Sequence, residues 1–199
     1  DSNEPGAPLG EEVEEPPERE PVHIILDPDE DLVLDEPLVL ELGDTLSGNG
    51  RIVGNVINHG LISPGHSPGT ITIDGDFMHG GAGGVLIEIN GNQPGTNPDN
   101  YDQLVLSGST AELSGTLVLD IGAGFAPASG NTFDVITFGE GLDVSGNFDR
   151  VEVTGAPEGI NLIPIQLPNR IMVYATDLPT GGALISIDQL IIDDLLNFF

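Results

Sequence analysis

The stretch Gly48-Asn49-Gly50-Arg51-Ile52-Val53-Gly54-Asn55-Val56-Ile57-Asn58-His59-Gly60-Leu61-Ile62 decides how this chain is read. Gly48, Gly50, Ile52, Gly54, Val56, Asn58, Gly60 and Ile62 fall at every second position. Two residues is the strand period, so these positions share one face. Glycine, asparagine and small aliphatic residues in alternation do not suit a sandwich strand. They suit a coiled solenoid, whose corners need positive φ and whose inward side chains stack closely. Asn58 is expected there in an inward ladder of amides.

Outward from this stretch the pattern persists. Pro64-Gly65-His66-Ser67-Pro68-Gly69 is a double turn, Thr70–Ile73 alternates, and Gly80 to Gly84 makes a corner before Val85–Ile89. Residues 92–100 form a polar loop. Leu104–Leu106, Ala111–Leu113, Gly115–Ile121, Phe133–Phe138 and Phe148–Val153 read as further short strands. Turn signals this regular point to an all-β solenoid or sandwich.

The run G-x-G-x-[IV]-x-G-x-V-x-N-x-G-x-I-x-P-G-x-S-P-G over Gly48–Gly69 resembles the repeat at the end of autotransporter-type passenger domains. The same pattern occurs in secreted proteins with a C-terminal Pro-Glu-Pro sorting signal. Tyr101–Gly108, Leu113–Leu117, Gly130–Ile136 and Ser145–Phe148 agree with it, so the resemblance covers about residues 46–155. It implies an extracellular, mostly non-enzymatic, right-handed β-solenoid. The fold expected is therefore all-β, a short right-handed parallel β-helix with a strand-rich N-terminal arm and C-terminal segment.

The flanks differ from the centre. Residues 1–44 hold 16 of the 33 acids. Residues 1–21 read as an acidic, disordered or extended leader. Residues 22–42 read as a strand-forming arm: Val22–Leu26, Leu32–Leu34 and Leu38–Leu42, split by acidic Pro-containing turns. Residues 43–155 are the solenoid. Residues 156–199 are C-terminal strands (Ile160–Ile165, Arg170–Tyr174, Ala183–Ile187) and an amphipathic tail, helical from Asp188. The candidate interface residues are Val22, Ile24, Leu26, Leu38, Leu40 and Leu42 in the arm, with Leu195, Phe198 and Phe199 in the tail.

Across 199 residues the chain has four Arg, no Lys and a formal charge of −29. That balance excludes a phosphate-tracking nucleic-acid binder and argues against anionic membranes. No apolar run reaches the ~18 residues of a membrane span. With no Cys, thiolate chemistry and Cys-ligated zinc are also excluded. An opening at Asp1 reads as a processed chain and favours export.

Catalytic motifs dissolve on inspection. Gly65-His66-Ser67-Pro68-Gly69 has the spacing of a nucleophile elbow, but Pro68 lacks the N–H that an oxyanion needs. His23, His59, His66 and His79 lack the helical spacing of a zinc protease and read as surface turn residues, apart from a His59–His66 metal pair. Asp27, Asp29 and Asp31 open like a calcium loop, but Leu32 and Leu38 stand where Gly and Glu belong. The calcium candidates are Asp99, Asn100 and Asp102, with Asp74 and Asp76 as a second set. No other cofactor is expected. Sugar-cleaving chemistry needs a carboxylate pair, for which acids abound, yet there is no Trp to make a sugar platform.

Three functions follow, in order. The first is a secreted, cell-surface structural protein that assembles head to tail with copies of itself, the arm exchanged between subunits and divalent cations screening the charge. The second is a monomeric adhesin or ligand-binding module working through loops such as 92–100. The third is an enzyme acting on acidic polysaccharides.

Overall fold

Strands come in threes along the chain. A computed structural model describes residues 19–65, 68–122 and 124–178. The first circuit is β1 (His23–Leu26), β2 (Leu32–Val33) and β3 (Leu38–Leu40). The second is β4 (Thr45–Gly48), β5 (Gly50–Val53) and β6 (Val56–Asn58). The third is β7 (Leu61–Pro64), β8 (Thr70–Asp74) and β9 (Phe77–His79). The fourth is β10 (Gly84–Ile89), β11 (Gln103–Leu106) and β12 (Thr110–Leu113). The fifth is β13 (Thr116–Ile121), β14 (Thr132–Phe138) and β15 (Asp143–Gly146). β16 (Arg150–Thr154) opens a sixth, and the antiparallel hairpin β17 (Asn161–Leu167) and β18 (Arg170–Thr176) follows.

Every strand from β1 to β13 pairs in parallel with the strand three places later. The chain thus visits three sheets in turn. The first holds β1, β4, β7, β10, β13 and β16. The second runs β2, β5, β8, β11, β14, β18, β17, and the third β3, β6, β9, β12, β15. No helix occurs among the described residues. The fold is all-β and β-helix-like, with three mostly parallel sheets.

The period-two reading carries through the corners. Asp44, Leu46, Gly48, Ile52, Val56, Asn58, Gly60, Ile62 and Pro64 are buried, and none of the odd-numbered residues between them is. Parallel register then stacks like on like. Leu46, Ile62, Val85 and Leu117 form one buried column, and Ile52, Ile73, Leu106 and Phe138 another. Each such aliphatic side chain, fully withdrawn from water, stabilises by about 1.5–3 kcal/mol. In the third sheet Phe77 lies between Val56 and Ala111, a large residue between small ones. Gly48 shows why corners need glycine. Its φ is 93°, and a Cβ would run into the backbone of Leu26 on the preceding circuit.

Several expectations are corrected. No amide ladder forms: Asn58 has Leu40 on one side and His79 on the other, so one amide meets one imidazole. His79, read as a surface turn residue, is fully buried. β9 and β15 went unassigned in the sequence because three or four residues between glycines carry too little periodicity. Residues 22–42 pair with β4, β5 and β6 of their own chain as its first circuit. The Asp188 helix lies outside the described residues.

Candidate functional site

Outward-facing side chains of the first sheet build an acidic cleft. Ile87, Ile89, Leu119 and Ile121 point inward, so Glu88 on β10 and Asp120 on β13 point out. Parallel register sets these two residues side by side. Thr154, next in the row, donates its hydroxyl to Asp120 Oδ1 at 2.5 Å. Asn90, Pro98, Asp99, Gly122, Gly124 and Phe125 complete the lining of a cavity of about 540 Å³. Burial raises the Glu88 carboxyl above the ordinary range, and the charge of Asp120 adds to it. The lining offers acceptors and one aromatic face, an arrangement that attracts cations.

Beneath the cleft, Asp102 is fully buried. Its Oδ1 accepts from Gly69 N at 2.6 Å and its Oδ2 from Glu88 N at 2.8 Å, tying two circuits together. Burial pushes its pKa up to about 7, against the pull of those two N–H groups. The calcium set is therefore not assembled. Asp102 is spent on backbone donors, Asn100 donates Nδ2 to Pro94 O at 3.2 Å, and Asp99 stays on the cleft rim. In the second set, Asp74 pairs with Arg51, while Asp76 Oδ1 accepts from Ser109 N and Thr110 N at 3.1 and 2.9 Å. Among the described residues, no three of His, Asp and Glu form a metal-holding group.

Other polar side chains likewise cross-link the circuits. Asp44 accepts from Arg19 Nη1 and Nη2, both at 2.8 Å, and from Val22 N and Glu41 N. The Arg19 hydrogen bonds, chiefly, hold its carboxyl well below the usual carboxylate range. Asp149 Oδ2 accepts from Gly115 N at 2.7 Å, and Asn49 Oδ1 from Thr70 N at 2.8 Å. Arg51 bridges Asp31 and Asp74, spanning three circuits. Part of the acidity thus serves the corners, where backbone N–H groups lack strand partners.

Inside the third sheet, Asn58 Nδ2 meets His79 Nδ1 at 2.9 Å and donates to Gly84 O at 3.1 Å, while its Oδ1 accepts from Gly60 N. The His79 ring stacks on Phe77 and meets Phe148 edge-on. Burial pushes its pKa down to about 4. His59 is half-buried, and His23 contacts Thr45 Oγ1 through Nδ1. His66 and Ser67, two of the five residues of the elbow motif, lie outside the described residues.

The two ends of the stack form the other notable surface. Half-buried apolar side chains at the margin of the core are Ile24, Leu32, Leu34 and Leu38 on the first circuit. At the far end they are Phe125, Leu142, Val144, Phe148, Ala156 and Ile160. Most exposed large apolar residues follow suit: Val22, Ile25, Val33, Val39 and Leu42 at one end, Val151, Val153 and Leu178 at the other, with Met78 on β9 as the exception between them. Of the expected interface residues, Val22 and Leu42 are thus exposed and Ile24 and Leu38 half-buried. Leu26 and Leu40 belong to the chain's own core, because both point inward. Leu195, Phe198 and Phe199 lie outside the described residues.

Sequence reasoning missed Glu88 and Asp120. Their signal is present in Ile87-Glu88-Ile89 and Leu119-Asp120-Ile121, where an acid takes the outward position between two inward apolar residues at the same step of two strands. No protein-family model matches the chain, and no curated protein matches it either.

Proposed function

We propose that this protein is a secreted, non-enzymatic structural module. Its strands wind as a right-handed parallel β-helix, the hand that parallel crossovers nearly always take. Its copies join end to end into an extracellular filament or matrix. The observation that carries this reading is the distribution of uncovered apolar side chains, which gather on the first circuit and at the far end. A sheet edge with apolar neighbours is a template for another chain. Contact between two different ends does not close, so it propagates. The first circuit is filled by the chain's own arm, which supports stacking of edges over exchange of strands. Acidic turns at residues 27–31 and 35–36 oppose that contact at low salt, and salt or calcium relieves the repulsion.

The test is Ile25→Lys with Val33→Lys. Both positions are 63% exposed or more, so the fold tolerates them. End-to-end assembly predicts that the double variant stays a single particle in salt at which the parent associates. Equal association by both proteins rejects the reading. A ligand-binding module is the second reading, favoured by the acidic cleft between Asp99 and Phe125.

A further inference from the structure

The polar pair inside the third sheet has only one workable arrangement of hydrogens. Asn58 Oδ1 accepts from Gly60 N at 3.0 Å, which fixes the way its amide faces. Nδ2 then donates to Gly84 O at 3.1 Å and to His79 Nδ1 at 2.9 Å. His79 Nδ1 is therefore an acceptor, and the ring proton sits on Nε2. That nitrogen is buried and has no hydrogen-bond partner among the described residues. It faces Gly115, where an added Cβ would stand 3.1 Å away. The N–H of the same Gly115 is held by Asp149 Oδ2, next to Phe148, whose ring meets the imidazole edge-on.

A second proton on this ring meets a conflict. It enters at Nδ1, where it faces the Asn58 Nδ2 hydrogens, donor against donor. Asn58 cannot turn over in reply, because Gly60 N needs an acceptor and Gly84 O a donor. Either the pair parts or Asn58 gives up the two corners it holds. Residues 80–84 carry no charge to offset the proton. Two other titratable groups act on the ring, His59 from the corner after β6 and Asp149 from the corner before β16. Burial, the largest influence, opposes a charge on the ring. The Thr116 backbone and Asp149 favour one, and His59 opposes it.

We propose that Asn58 and His79 form a proton-operated latch, closed while the ring is neutral, whose opening in acid frees the corners at residues 58–60 and 80–84 and unseats Phe148. The latch goes beyond the end-to-end reading and rests on it for one consequence only. Phe148 belongs to the apolar margin of the far end, so on that reading acid weakens the joint between copies.

Amide hydrogen exchange on the full chain, corrected for the intrinsic effect of pH, tests the latch. With the ring pKa at about 4 in the fold and 6.5 once open, opening becomes roughly a hundredfold more frequent from pH 7 to pH 4. Gly60 N and Gly80 N, held by Asn58 Oδ1 and Asn58 O, should lose protection by that factor. Amides of β8 and β11, which open with the whole fold, also feel the opposite slope of Asp102 and should lose much less. An equal loss at all four places makes the event global and overturns the latch. His79→Gln keeps an acceptor for Asn58 and removes the titration. It should hold Gly60 and Gly80 equally protected at both pH values, and the same hundredfold loss in this variant overturns the proposal. Nitrogen-15 NMR of the parent ring needs no variant: a proton on Nε2 is expected at pH 7, and one on Nδ1 overturns the latch. Light scattering on the same samples separates the two readings. Copies that associate while protection never falls reject the latch and leave end-to-end assembly standing. A latch that opens in a protein that never associates does the reverse.

Discussion

At the scale of single residues, two buried titrating groups pull stability in opposite directions. The ordinary His79 pKa of 6.5 falls to about 4 in the fold. The unfolded chain therefore takes up its proton first as pH drops. The His79 contribution is complete above pH 6.5 and is lost towards pH 4. Asp102 has the other sign: its pKa rises from 3.8 to about 7, so its contribution is complete below 3.8 and is lost as pH climbs through 7. Between these limits the two slopes oppose. His79→Gln should leave stability falling with rising pH, and Asp102→Asn should leave it rising towards pH 6.5. Urea unfolding across this range checks both, and parallel profiles in the two variants contradict the assignment. Asp44 and Asp76, both lowered, act in a separate window and withdraw their support only as pH falls below the ordinary 3.8. Gly48→Ala is a third residue-scale test. With φ at 93° and the Leu26 backbone in the way, it should cost about 2 kcal/mol or more in urea unfolding.

At the scale of elements, short strands are held by register and by side chains that cross between circuits. The column Leu40, Asn58, His79 puts a polar pair inside an otherwise apolar interior. Asn58→Leu extends the apolar column but leaves Gly60 N and His79 Nδ1 without their partner. It should destabilise by about 2 kcal/mol, measured by urea unfolding, despite the added apolar surface. A neutral or stabilising result means those groups find other partners. Arg51→Met removes the bridge over β2, β5 and β8, but its partners are exposed. The loss should be small, and smaller still in high salt. The same elements explain what the sequence made legible. Alternation from Gly48 to Ile62 was readable because every second residue but Asn58 is glycine or aliphatic, and that periodicity survives the corners. β9 was not readable, since Phe77-Met78-His79 has one alternation only and its histidine looks like a surface residue. The role of Asp102 was equally hidden. Beside Asp99 and Asn100 it reads as a calcium ligand, and only the fold reveals that Gly69 N and Glu88 N claim both its oxygens.

At the scale of the whole molecule, the sequence made the all-β repeat legible and left the ends obscure. The arm at 22–42 looked like a strand donor because its apolar runs stand between acidic turns. Within one chain it pairs as the first circuit, and Leu26 and Leu40 enter the core. Among the described residues, the large apolar side chains left exposed lie mostly on that circuit and at the valines of β16, with Met78 and Leu178 besides. A formal charge of −29 keeps such ends apart in dilute salt, where the screening length is ~30 Å at 0.01 M, and falls to ~8 Å near 0.15 M. Association should therefore switch on with ionic strength, and more steeply with calcium than with sodium. The most direct measurement is negative-stain electron microscopy of the purified chain across that salt range, with fibre diffraction of whatever forms. The account predicts unbranched fibres at higher salt, with a ~4.8 Å spacing along the fibre axis from strands stacked across it. Uniform single particles at every salt and calcium concentration would contradict it.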